Sequence, residues 1–179
     1  MSLSRRAFTT GLAAVPLVKG QMAMPDASMQ PLAKPSSDWR AKVFDPHELE
    51  TVAAVAEVII PATDTPGARE AAVHQHLDDI LAASPETVRS PFLEGLWWLD
   101  GYCMRTRQKP FAEIGSAEEQ RQILAHLYDS QDPELRTGAA FVELAKSWTA
   151  KIYYSTEIGN QELNKGGRVP GNYAGNCSA

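Results

Sequence analysis

Apolar residues recurring at helical spacing, helix-start signals built on proline, and the absence of any alternating β-branched run predict an all-α protein. The expected architecture is a helical bundle of about five helices with an extended Gly/Tyr-rich C-terminal tail. Four segments follow from the composition shifts: a leader over residues 1–23, a linker over 24–43, a helical domain over 44–155 and the tail over 156–179. The part after the leader is long enough for one domain with a real core.

The first helix opens at Phe44-Asp45-Pro46-His47-Glu48. Asp45 suits an N-cap, Pro46 the first helical position, and Glu48 lies three residues after the cap. Leu49, Val52, Ala53, Ala56, Ile59 and Ile60 then form one apolar stripe, which Pro61 ends because the residue before a proline is driven out of helical geometry. Thr63-Asp64-Thr65-Pro66-Gly67 reads as a turn that restarts the chain, with Thr65 capping and Pro66 first. The second stripe is Val73, Leu77, Ile80 and Leu81. Ser84-Pro85-Glu86 repeats the pattern, and Phe92, Leu96, Leu99, Tyr102 and Cys103 mark the inner face of a third helix with Pro91 near its start. Ser116-Ala117-Glu118-Glu119 has the form of a capping box, ahead of Ile123, Leu124, Leu127 and Tyr128. Asp132-Pro133-Glu134 opens a fifth helix carrying Leu135, Ala139, Val142, Ala145, Trp148 and Ile152. From Tyr153 onward glycine and asparagine accumulate and apolar periodicity stops, which predicts extended backbone. Tyr153, Tyr154, Pro170, Gly171 and Tyr173 in this stretch are candidate anchors for a partner, since a tyrosine offers both a ring and a hydroxyl.

The leader is the most specific stretch. Ser4, Arg5, Arg6 and Phe8 stand in the register of a twin-arginine signal, before a short and weakly apolar run from Ala7 to Val18. That route carries folded cargo and implies a periplasmic destination. Cleavage near Ala23 or Ala27 and retention of an uncleaved anchor are both open. The formal charge is −5, and removing residues 1–23 takes away Arg5, Arg6 and Lys19 with no acid, leaving −8. So acidic a domain is a poor partner for nucleic acid or for an anionic membrane surface.

The chemistry-bearing residues do not converge. Cys103 and Cys177 are the two cysteines, too few for a thiolate zinc site or an iron–sulfur cluster held by this chain. In an oxidising compartment they form one internal disulfide or separate bonds to partners; an internal bond closes a loop of about 75 residues, on the order of 4 kcal/mol in the chain-entropy model. His74 and His76, two apart on a helix, point about 200° from each other and cannot grip one metal together. With Asp78 and Asp79 they read as a solvated face. His47 and His126 read as surface and core histidines. Ser155 and Thr156 lack a paired histidine, and Gly166-Gly167-Arg168 lacks the strand and helix of a phosphate loop. Trp97 and Trp98 face directions about 100° apart, so one belongs in the core while the other faces out as an interface anchor. No catalytic, cofactor-binding or metal set emerges, and the chain reads as a non-enzyme.

Phe44-Asp45-Pro46-His47-Glu48, the string Pro61-Ala62-Thr63-Asp64-Thr65-Pro66-Gly67-Ala68 after Val58-Ile59-Ile60, and Tyr153-Tyr154-Ser155-Thr156-Glu157-Ile158-Gly159 together resemble the gluconate 2-dehydrogenase subunit 3 family. Glu162-Leu163, Pro170-Gly171, Tyr173 and Gly175 fit it as well. The resemblance covers about residues 44–175. It implies a small, non-catalytic subunit that brings the export signal, beside a large subunit that binds FAD and oxidises CH–OH groups of sugars or sugar acids. A cytochrome c subunit commonly completes such complexes. Membrane association through the complex or through an uncleaved signal is also implied. The family contributes no catalytic motif to carry over, and the substrate stays open. A different class of reading is a stand-alone periplasmic domain, binding or transforming a small ligand near Trp97 and Trp98.

Overall fold

The computed structural model describes residues 31–164. Six α-helices run in order: α1 (Pro46–Ile59), α2 (Val73–Ala83), α3 (Glu86–Arg107), α4 (Ala117–Asp129), α5 (Arg136–Ser155) and α6 (Glu157–Asn164). Single 3-10 turns at Phe111–Glu113 and Pro133–Leu135 join α3 to α4 and α4 to α5. The described residues contain no strand, only one isolated parallel bridge between Leu32 and Thr156. The all-α expectation holds.

Helix α1 sits in the middle. Its capping box is complete: Asp45 Oδ1 accepts the Glu48 N–H at 2.8 Å, and Glu48 Oε2 accepts the Asp45 N–H at 2.9 Å. The expected single stripe proves too narrow. All six residues from Thr51 to Ala56 are buried, while Leu49, Ile59 and Ile60 are only half-buried. Small side chains over this turn and a half let α2, α4 and α5 close round the helix on several sides.

Helices α3 and α5 lock by reciprocal notches. A Cβ on Gly95 would lie 2.5 Å from the Phe141 ring, and one on Gly138 would lie 2.2 Å from the Trp98 ring. Each glycine is therefore the seat of an aromatic side chain from the other helix. Phe92 meets Phe141 edge-on at 5.4 Å and Phe44 at 6.0 Å, forming the aromatic centre of the core. Helix α4 buries Ile123, Leu124 and Leu127 as expected, whereas Tyr128 lies 45% exposed with Lys146 Nζ 3.7 Å above its ring. Ser116 Oγ caps α4 by accepting the Glu119 N–H, while the Glu119 carboxylate takes Arg107 Nε at 2.9 Å.

Four expectations need correction. Thr65 does not cap α2, which begins eight residues later, after Ala72 in left-handed geometry (φ 54°). The intervening turns are held from α1: Glu57 accepts the N–H groups of Ala62 and Arg69, both at 2.9 Å, and Gly67 fits under that carboxylate where a Cβ would lie 2.5 Å from Oε1. Residues 31–43 of the expected linker form a docked strap. Leu32 N–H donates to Ser155 O at 2.7 Å, and Asp78 accepts the N–H groups of Lys42, Val43 and Phe44 at 2.7–3.0 Å.

The supposed solvated face of α2 is correspondingly wrong. Asp78 is fully buried and His76 is 8% exposed, because the strap covers them. The tail is also not extended where it is described. Thr156 ends α5 and starts α6, donating its hydroxyl to Tyr153 O at 2.7 Å and accepting the Gly159 N–H at 3.2 Å. Gly159 lies so close to α5 that a Cβ would fall 2.1 Å from Tyr153 O. This glycine permits the helix–helix contact and is no sign of irregular chain.

Candidate functional site

The start of α1 and the middle of α3 build one polar cluster around an exposed ring. Trp97 is 56% exposed, and its indole N–H donates to Glu48 Oε1. The same carboxylate closes the α1 capping box through its other oxygen. The indole is thus pinned from a helix cap while more than half of the residue stays in solvent. One turn further along α3, Asp100 accepts the Phe111 N–H at 2.9 Å and the Thr51 hydroxyl at 3.3 Å, and lies 2.8 Å from His47 Nε2. Met104, seven residues after Trp97 on the same helix face, is 50% exposed. Between them Gly101 leaves the surface low, with Arg105 Nη1 the nearest atom to a notional Cβ at 3.4 Å.

The expected division of Trp97 and Trp98 appears in this geometry: Trp97 faces out, and Trp98 seats on Gly138 and stacks on Tyr102 at 5.3 Å with 10° between the rings. Tyr153 does not serve as a surface anchor. It is 3% exposed, and its hydroxyl donates to Pro66 O at 2.8 Å, tying α5 to the loop after α1. Tyr154 packs edge-on against it at 5.3 Å and remains 44% exposed. Pro170, Gly171, Tyr173 and Cys177 lie outside the described residues, as do Ser4, Arg5, Arg6 and Phe8. Cys103 is fully buried, and burial, with a smaller contribution from the Asp100 charge, pushes its thiol up to about 12. Such a thiol is inert as a nucleophile at neutral pH.

A concavity of about 400 Å³ runs beside the Pro61–Ala68 loop, rimmed by Glu50, Glu57, Arg69, Glu118 and Arg121 over alanines 54, 62, 112 and 117. Its charges are already engaged. Arg69 grips both Glu50 oxygens at 3.0 and 3.1 Å and holds that carboxyl below its ordinary range. Arg121 pairs with Glu118, and Glu57 holds the loop backbone. Among the described residues no group of three His, Cys, Asp or Glu is placed to hold a metal ion, and no helix is long and apolar enough to cross a membrane. His47 and the buried His76 are far apart in the chain and lie on different helices.

Periodicity could not reveal Asp100 or Glu48 as site residues, since each acts across about fifty residues of sequence. In the sequence Glu48 is marked only as a capping residue, and which of Trp97 and Trp98 faces out stays open. The family described as gluconate 2-dehydrogenase subunit 3 matches residues 46–170. The chain belongs to the gluconate 2-dehydrogenase subunit 3 family. The match contains α1 through α6, and so the whole Trp97 cluster and the Pro61–Ala68 loop. No curated protein and no solved structure matches the chain. Members of the gluconate 2-dehydrogenase subunit 3 family are subunits of a dehydrogenase complex, and this chain is read as such a subunit.

Proposed function

We propose that this chain is the non-catalytic small subunit of a periplasmic FAD-dependent sugar or sugar-acid dehydrogenase. It escorts the folded flavoprotein through twin-arginine export and stabilises it afterwards. The family match over residues 46–170 carries the reading, since it names a subunit of a dehydrogenase complex. Ser4, Arg5, Arg6 and Phe8 support the export half, because a signal for folded cargo serves a chain that assembles before translocation. The non-catalytic half is supported by the groove beside the Pro61–Ala68 loop, whose glutamates are engaged by arginines and backbone N–H groups and so are not poised as bases. FAD belongs to the large partner, and a cytochrome c subunit accepts the electrons. The two-lysine variant Arg5→Lys, Arg6→Lys tests the escort role. Dehydrogenase activity in fractionated cells should move from periplasm to cytoplasm together with this chain. Undiminished periplasmic activity would defeat it.

A further inference from the structure

The acidic rim around Trp97 says what kind of surface covers it. The indole N–H is engaged by Glu48, and that carboxylate is itself fixed by the helix cap. A pre-set ring loses little conformational entropy on docking. Met104 extends the apolar strip along α3, over the low ground at Gly101. Carboxylates dominate the edge: Glu48 and Asp45 at the α1 cap, Asp100 behind His47, and the exposed Glu94, three residues before Trp97 on α3. Two cations stand against these four carboxylates, Arg105 beside Gly101 and Arg136, which shares a cavity with Glu94, while His47 is held by Asp100.

We propose that the Trp97–Met104 face seats in an apolar pocket rimmed by Lys or Arg on the catalytic subunit of the dehydrogenase complex. The proposal rests on the subunit reading above. Charge selects the occupant: a second copy of this chain would bring the same carboxylates against each other, whereas a basic rim pairs with them. The indole and the thioether fill the pocket. Glu94 meets the rim, and Glu48 keeps its internal role.

The test co-expresses the catalytic subunit of this chain's own complex with wild type, Trp97→Ala and Glu94→Lys, and measures the dissociation constant at low and high salt. Trp97→Ala is expected to weaken binding about thirtyfold, as for a central aromatic anchor. Glu94→Lys is expected to slow association chiefly at low salt, where the rim charges are least screened. Glu94 is exposed, so that variant keeps the test alive should Trp97→Ala lower the melting temperature. Wild-type binding by both variants, with the wild-type complex intact, overturns the face and leaves the subunit reading standing. No complex even with the wild-type chain overturns the subunit reading, and the proposal with it. A wild-type dimer that Trp97→Ala makes monomeric, with the complex unaffected, assigns the face to a second copy and also overturns the proposal.

Discussion

Asp78 shows what a single side chain contributes here. It is fully buried and accepts three consecutive backbone N–H groups of the strap, from Lys42, Val43 and Phe44. A carboxylate in that setting replaces the hydrogen bonds that a helix or sheet would have supplied, and its removal strands all three donors. Asp78→Ala is expected to destabilise the domain by about 3 kcal/mol, read as a lower urea midpoint, with new protease cuts between residues 31 and 44. An unchanged midpoint would mean that the strap contributes nothing to folding. Single residues were also where the sequence was least legible. Asp78 looked like one member of a charged face because its partners lie 34–36 residues away, and such contacts leave no periodic trace. Glu57 is hidden for the same reason, its reach to Arg69 spanning 12 residues. By contrast Asp45, Pro46 and Glu48 were legible because a capping box is local.

Elements were readable where proline and caps punctuate them and unreadable where one element borrows its start from another. The ends of α1 and the start of α3 followed from Pro61 and Pro85, but α2 begins from turns held by Glu57, and α6 from a threonine that also closes α5. The strap, α2 and α6 meet around His76. Its Nε2 is buried without a hydrogen bond, as is Nδ1 of His74. Burial lowers the pKa of both histidines; Arg69 pushes His74 the same way, while Glu50 opposes it, and Asp79 opposes the shift at His76. Lys34, Glu70 and Glu157 line the small cavity that His76 borders.

Because both folded-state pKa values lie below the ordinary 6.5, the unfolded chain binds these protons first on acidification. The associated stability is complete above about pH 6.5 and falls as pH drops from there towards the lowered values. Asp79 acts in a later window. Burial opposes its charge, but hydrogen bonds from Lys42 and Trp39 outweigh that and hold it below its ordinary 3.8, so its contribution fades only in stronger acid. The melting temperature should therefore decline as pH falls below about 6.5, and a His74→Gln, His76→Gln variant should lack most of that slope. A flat wild-type profile over the range would contradict the burial of these rings.

Within its described residues the molecule is a six-helix domain that leaves one aromatic side chain, Trp97, more than half exposed on α3. Its helical class was legible because periodicity and caps are summed over many residues. Its family was legible only through the Pro61–Ala68 string and its companions, because local sequence motifs, unlike contacts made across the fold, can be read directly from the chain. The central claim is that the chemistry belongs to another chain. Native mass spectrometry of this chain, purified gently from its own cells with flavin and dye reduction followed on each species, tests that most directly. The account predicts a heteromeric complex in which FAD and sugar oxidation stay with the large chain, and a colourless, inactive small chain after dissociation. A free monomer of this chain that carries flavin or oxidises a sugar would contradict it.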